Sequence, residues 1–547
     1  MIKKKFFFKI FSQYSLSMTN YVENINDYSI DKIQKKKCFL FFLKSQKTIL
    51  SFFFILIIIK NLLSFIVFRK KFNNLENNKK IYLFKILKKI KILKSDKSLE
   101  LFNALVSIIV INNEKLKKIK IQISDLKKHY DCIVIGSGPA GSVTGLELIN
   151  KKKDTVILEM GSNFDISKQK HPGDEFYTKW RNSGLSSTLG NAMLQYSSGS
   201  CLGGGSEINS GLFHDIDVDY LEKIYENKNN FEKYLDKSFF KKYLTNVKNF
   251  QIENFQYFKN LYKYIEYGAQ KLNWKYENLR KFSIISEKKI KKNSMSKTFL
   301  KEYLEKGGKI LENFEVKKIN LLKNNLIEVT TKNKNKIIKF RCNNLFLCCG
   351  APYTQQILKK NKLINKDVNE YFHFHPMIKI ISKFPEEINS DTSVDVITTQ
   401  ITEFYPRFLF GNAASGKQFL KIATFGNKEA FNDVEKNHKK MTIFHSTFSG
   451  GETKILNIPF LDEILIFNNL KKNEKSCIYE GAKNLINFLF ECGASYLILC
   501  DDKNTKIEKK HLKYIDNILK NLNFNMSSVH LLGGLKMGTN INSTLDI

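Results

Sequence analysis

Between residues 130 and 160 the apolar positions change period twice. Asp131–Ile135 (DCIVI) is a short apolar run, which predicts a buried parallel strand. Ala140–Ile149 then predicts a helix, and Thr155–Leu158 a second strand closed by Glu159. Further on, YFHFHPMIKIISKF alternates in the manner of a half-buried strand. SVDVITTQITEFYPRFLFG and KQFLKIATFG predict more strands, ECGASYLILCDD a helix end followed by a strand, and Lys506–Leu522 a helix. Ahead of all this, Lys79–Ile111 carries a helical pattern, with Ser98 placed to cap a second helix there. The predicted class is α/β behind a helical N-terminal extension.

The turn after the first strand reads Gly136-Ser137-Gly138-Pro139-Ala140-Gly141, a G-x-G-x-x-G in the order strand, turn, helix, strand, acid. Gly136 permits the tight turn, Gly138 lets the backbone approach a pyrophosphate, and Gly141 lets helix and strand pack closely. The helix N-terminus offers unpaired N–H groups to phosphates. Glu159 sits where an acid accepts hydrogen bonds from ribose hydroxyls. The fingerprint fits a dinucleotide and does not separate FAD from NAD.

A second glycine cluster, QYSSGSCLGGGSEINSGLFHD, holds Gly203, Gly204 and Gly205, followed by Ser206 and Asn209. Consecutive glycines let the main chain lie flat against a large neighbour. With the first motif, this segment resembles the glucose–methanol–choline (GMC) oxidoreductases, whose G-G-x-S-x-x-N stretch lines the flavin. NNLFLCCGAPYTQQIL, with Gly350, resembles the segment that returns such chains to the FAD domain. Ser294–Ile319 resembles the helix and strand before it, with Val316 at the adenine contact. HLLGGLKMG is similar to the family's H-x-x-G-T-x-R-M-G, which puts His530 on the catalytic histidine. These matches run in family order from Tyr130 to Ile547.

The resemblance implies a Rossmann-type FAD-binding domain over 129–370, a substrate domain on a mostly antiparallel sheet over 371–510, and a return to the FAD domain over 511–547. Residues 1–128 stand outside it. It implies oxidation of an alcohol CH–OH group, with His530 as base and hydride passing to the flavin. Tyr196 stands where some relatives carry a histidine bonded to FAD, so the expected FAD is non-covalent. A second catalytic residue is expected about forty residues after His530, beyond Ile547, so the chain is expected to be a fragment or truncated product that holds FAD weakly. A GMC-fold lyase using FAD structurally and a non-catalytic homologue are the rival readings. His373 and His375 share a strand face as an H-x-H pair, but no further ligand lies nearby, and no metal is expected. The electron acceptor, oxygen or a quinone-like carrier, is open.

Composition changes the picture little. The formal charge is +36, and residues 1–130 carry 28 Lys/Arg against 8 Asp/Glu. No aromatic-interleaved basic module accompanies it, so it reads as a bias toward Lys, Asn, Ile and Phe, and no nucleic acid is expected. Thr48–Lys71 is nearly long enough to span a bilayer, but Lys60 and Asn61 interrupt it. A charge at mid-bilayer costs about 3 kcal/mol. The segment, with its possible span at 48–68, reads as either membrane-associated or a buried or interfacial helix. No cleavable signal peptide follows the basic start, so the location is cytoplasmic or membrane-associated. The nine cysteines form no C-x-x-C pair, and Cys132, Cys348 and Cys349 fall in apolar runs read as strands. A reducing compartment fits.

Overall fold

The structure is a computed structural model. It describes residues 62–69 and a few positions up to 86, then 126–163, 175–214, 252–254, 259–364, 372–389, 399–457 and 464–535, apart from residues 177, 185, 287–288, 335, 414, 425–426, 449 and 521. The helices expected around Ser98, most of 48–71, and the chain after residue 535 lie outside the described residues.

Strand β1 (His129–Ile135) leads through the glycine turn into helix α1 (Pro139–Asn150) and strand β2 (Thr155–Glu159). Helix α2 (Phe299–Glu305) feeds strands β3 (Lys309–Glu312), β4 (Glu315–Leu321), β5 (Ile327–Asn333) and β6 (Lys336–Leu347). Helix α3 (Ala351–Lys360) follows. These six strands form one sheet in the order β3-β2-β1-β6-β5-β4. The four strands β3, β2, β1 and β6 run parallel, and β5 and β4 close the edge as an antiparallel meander.

The unbroken apolar runs exist because both faces of this sheet are covered. Ile133, Ile135, Val156 and Leu158 enter one core with Phe314, Phe340 and Leu311. Val134 and Ile157 enter the other, under Leu146 of α1 and Leu300 and Tyr303 of α2. Each such buried branched side chain contributes roughly 1.5–3 kcal/mol. The Tyr303 hydroxyl donates to the Thr155 carbonyl at 2.8 Å, which fixes α2 over β2.

A ten-stranded sheet makes the second layer. Its centre is β8 (Met377–Lys383), preceded by the short β7 (Phe372–Phe374), with β9 (Phe408–Ala413) and β10 (Met441–Phe448) beside it. Helix α4 (Lys472–Glu491) packs on one face through Leu485, Ile486 and Leu489 against Ile378, Ile380 and Phe444. Strand β11 (Met526–Ser528) joins β8 to Leu194–Tyr196, and that last pairing is the sheet's single parallel one among the described strands. Strand β12 (Leu531–Gly533) leaves this sheet to pair with β7.

Three local expectations change. KQFLKIATFG is not a strand: Lys417–Thr424 is a helix, because Leu420 and Thr424, one turn apart, are its buried residues, with Phe419 and Ala423 packed beside them. Lys506–Leu522 is not one helix. Lys506–Ile507 pairs with Leu497–Ile498, Lys509–Tyr514 is a tight 3-10 segment, and only Ile515–Lys520 is α-helical. The buried Ile507, taken into the sheet, is what shortens it. Cys348 and Cys349 lie just past the end of β6, in the turn to α3, and of the three cysteines expected in strands Cys132 alone is inside one.

Candidate active site

The two glycine clusters meet backbone to backbone at the carboxyl ends of β1 and β6. Gly136 has φ +100°, and a Cβ there would sit 2.4 Å from the Cys348 carbonyl oxygen. A Cβ on Gly141 would lie 1.9 Å from the Gly136 oxygen. A Cβ on Gly204 would reach 2.8 Å from the Gly138 Cα, so the second cluster is laid directly against the first. By contrast, a Cβ on Gly205 or Gly350 would meet nothing within 4 Å, and one on Gly138 only the Gly204 Cα at 4.0 Å. These three glycines border open space, at the sheet edge where α/β folds bind ligands.

Helices α1 and α3 both start at that edge. Their N-cap residues, Gly138 and Gly350, make no side-chain cap, neither first turn holds an acid, and each helix carries a proline in its first two positions, Pro139 and Pro352. Ala140, next to Pro139, is exposed. Two uncapped helix starts with glycine-lined approaches present N–H groups and positive potential to an anion. The residues present therefore fit a dinucleotide such as FAD.

Ser137 ties the clusters together. Its hydroxyl donates to Glu159 Oε2 at 2.7 Å and accepts from the Gly203 N–H at 3.1 Å. Glu159 also accepts from the Ser137 N–H at 3.0 Å and, through Oε1, from the Gly161 N–H at 2.7 Å. Burial pushes the Glu159 carboxyl up, against the hydrogen bonds of Gly161 and Ser137 and the charge of Arg181. So Glu159 is, in this structure, the organiser of the turn, with Oε1 holding one partner.

Ser206 and Asn209 are likewise used to build the second cluster. Ser206 Oγ donates to the Gly203 carbonyl at 2.7 Å and accepts from the Met295 N–H at 3.1 Å. Asn209 Oδ1 accepts from the Gly211 N–H, and its carbonyl accepts from Lys292 Nζ at 2.6 Å. Val316 is half-buried beside the irregularity in β4, two residues after Phe314, whose N–H donates to the Glu159 carbonyl at 2.9 Å.

His530 follows β11, whose Ser528 pairs with Tyr196 beside the second glycine cluster. The pairing of β7 with β12 sets Phe374 opposite Leu531. One step further along this register brings His375 to His530. His375 Nε2 lies 2.7 Å from His530 Nδ1, with the rings 4.7 Å apart and edge-to-face. His375 Nδ1 lies 3.5 Å from Thr447 Oγ1, and that hydroxyl donates to the Pro376 carbonyl at 3.4 Å. Burial, then the neighbouring His530, holds His375 down at about 4. His530 keeps an exposed edge, and burial of the rest, then His214, lowers it too.

The next row across the sheet is also polar. Lys379, His445 and Gly411 stand opposite one another on β8, β10 and β9. A Cβ at Gly411 would lie 3.0 Å from the His445 ring, so glycine there makes the room. Burial, then Lys379 and His375, hold His445 at about 3, and burial lowers Lys379. His445 Nδ1 has no hydrogen-bond partner.

Sequence reading named the glycines and His530 and did not name His375 as the neighbour of His530, nor Thr447, His445, Lys379 and His214. The H-x-H pair does not act as a unit: His373 is exposed while His375 turns to His530. No group of three or more metal-ligating side chains occurs among the described residues. No helix among them is long and apolar enough to cross a membrane.

Comparison with known proteins adds the following. The family model for GMC oxidoreductases matches residues 130–377. An uncharacterized GMC-type oxidoreductase of Sinorhizobium fredii is 25% identical over 309 residues, which cover 53% of this chain and 60% of that protein. A long-chain-alcohol oxidase of Arabidopsis thaliana is 23% identical over 299 residues, 48% of this chain and 38% of that protein. The chain thus spans less than two thirds of these relatives' lengths. Among solved structures, pyridoxine 4-oxidase from Mesorbium loti is similar with a TM-score of 0.52 at 11% identity, covering 76% of this chain and 90% of that one. At that identity the likeness is one of fold.

Proposed function

Since the chain belongs to the GMC oxidoreductase family, whose members generally bind FAD, we propose that it oxidises the CH–OH group of a small-molecule alcohol with His530 as the base and a dissociable FAD. The observation that carries this reading is that His530, in contact with His375, follows by two residues the strand that pairs with Leu194–Tyr196, the segment leading into the second glycine cluster. A long-chain-alcohol oxidase among the relatives supports an alcohol as the substrate class.

When bound, FAD supplies the hydride acceptor, and the protein's share is position and proton transfer. Gly138, Gly205 and Gly350 would leave room for the cofactor, and the uncapped starts of α1 and α3 would hold its phosphates. His530, its pKa lowered, is neutral near pH 7 and takes the hydroxyl proton as the α-carbon gives up hydride. Tyr196 occupies the position where a histidine would attach the flavin, and tyrosine leaves the cofactor free to dissociate.

The test is anaerobic mixing of the FAD-loaded chain with polyols, choline, sterols and long-chain alcohols. The reading expects one class to bleach the flavin, and acid precipitation to release the flavin into solution. Flavin unchanged by every alcohol would overturn the oxidoreductase reading in favour of a lyase or a scaffold.

A further inference from the structure

We propose that His375 is the positioning residue for the base: it accepts the Nδ1–H of His530 and so leaves His530 Nε2 bare toward the substrate. This rests on the functional reading above for its purpose, but not for its geometry.

A contact between two imidazole nitrogens does not reveal which one carries the proton. The surroundings decide it here. The Pro376 carbonyl can only accept, so the Thr447 hydroxyl at 3.4 Å gives its proton to it. Thr447 Oγ1 then meets His375 Nδ1 at 3.5 Å with lone pairs alone. That oxygen therefore holds the His375 proton on Nδ1, since Nε2 points away to His530. Neutral His375 has one proton, so its Nε2 is an acceptor. The 2.7 Å contact then requires His530 to carry its proton on Nδ1. In the reverse order the Thr447 hydroxyl would have to turn from the Pro376 carbonyl to His375 Nδ1.

The relay is stable only while His375 stays neutral. Burial and then the facing His530 favour that state, and His445 in the next row is itself held neutral by burial and Lys379. His214 acts on His530 in the same direction, lowering its pKa. During turnover the hydroxyl proton adds to His530 Nε2, giving an imidazolium whose Nδ1–H points at a neutral acceptor. No electron passes through the pair. Removing the acceptor destabilises that imidazolium, so the acid limb of the rate profile moves to lower pH.

Ring-15N-histidine NMR on the full chain at neutral pH tests the proton positions without any turnover, with His375→Gln and His530→Gln assigning the signals. The expected result is His375 and His530 both protonated on Nδ1. A proton on His530 Nε2 overturns the proposal even if alcohols reduce the flavin. The expected tautomers together with an inert flavin would leave the relay standing and sink the function instead. In the FAD-loaded chain, His375→Ala should slow flavin reduction on the order of ten- to a hundredfold, the usual cost of losing the group that orients a functional histidine. It should also shift the acid limb down. His375→Gln, whose amide oxygen still accepts and whose NH2 still donates, should restore most of the rate. Thr447→Ser should match the unsubstituted chain, and Thr447→Val should not. An unshifted acid limb in a folded His375→Ala protein that reduces flavin at the normal rate contradicts the role.

Discussion

The two sheets are built of different materials at their polar edges. The parallel sheet offers backbone: glycines packed so tightly that Gly141 has a carbonyl oxygen 1.9 Å from where a Cβ would be, and two uncapped helix starts. The antiparallel sheet offers side chains: His375, Thr447, His445 and Lys379, with His530 arriving just ahead of β12, which pairs with β7. Backbone suits a large constant ligand, because dipoles and shape do the holding and nothing has to titrate. Side chains suit a reaction, because a proton needs a group that gains and loses it. The same division predicts different failures: steric and total in the first region, kinetic and pH-dependent in the second.

Gly141→Val should produce the largest loss. The branched side chain meets main chain that cannot move aside, well beyond the roughly 1–3 kcal/mol of ordinary overpacking. Soluble expression and FAD uptake should both disappear, and a folded flavoprotein from this variant would break the account of the cradle. Next is His530→Ala. Flavin uptake should be kept, while reduction by alcohol falls about 10²–10⁴-fold in stopped-flow absorbance.

Acid should separate the regions. His375 and His445 have folded values near 4 and 3 against 6.5 ordinarily. Above 6.5 both are neutral folded or unfolded. As pH falls below 6.5 the unfolded chain takes their protons first, so stability drops until the folded values are passed, by roughly 8 kcal/mol at most. Glu159, raised by burial, has the opposite sign: what it contributes is present below its unfolded value and lost as pH rises through its folded one. Hydrogen exchange between pH 7 and 5 should therefore loosen β8 and β10 before β1 and β2. The smallest effect is Gly205→Ala. Its methyl enters open space, so melting should hardly change while FAD affinity falls about tenfold, or about 1.4 kcal/mol.

The parallel region was legible from the chain because its parts are consecutive. β1, the turn, α1, β2 and Glu159 lie within residues 129–159. Their periods and glycine spacing report local sterics. What was missed there was the double use of Ser137, Ser206 and Glu159 as internal ties, since a hydrogen bond from Gly203 to Ser137 spans 66 residues. The histidine pair was illegible for the same reason on a larger scale. His375 and His530 are 155 residues apart and meet only through the register of β7 with β12. His530 was found through resemblance, not periodicity. Lys417–Thr424 was misread because a two-turn amphipathic helix and a short alternating strand share apolar counts, and only the neighbouring core chooses between them.

The central claim is that one imidazole, His530, takes the substrate proton beside a glycine-cradled FAD. The most direct measurement loads the unsubstituted chain and His530→Ala with FAD to equal occupancy and follows flavin bleaching by the best alcohol without oxygen. The account predicts equal flavin uptake, with bleaching in the first and almost none in the second. Equal bleaching in both, or no uptake of FAD by either folded protein, would contradict it.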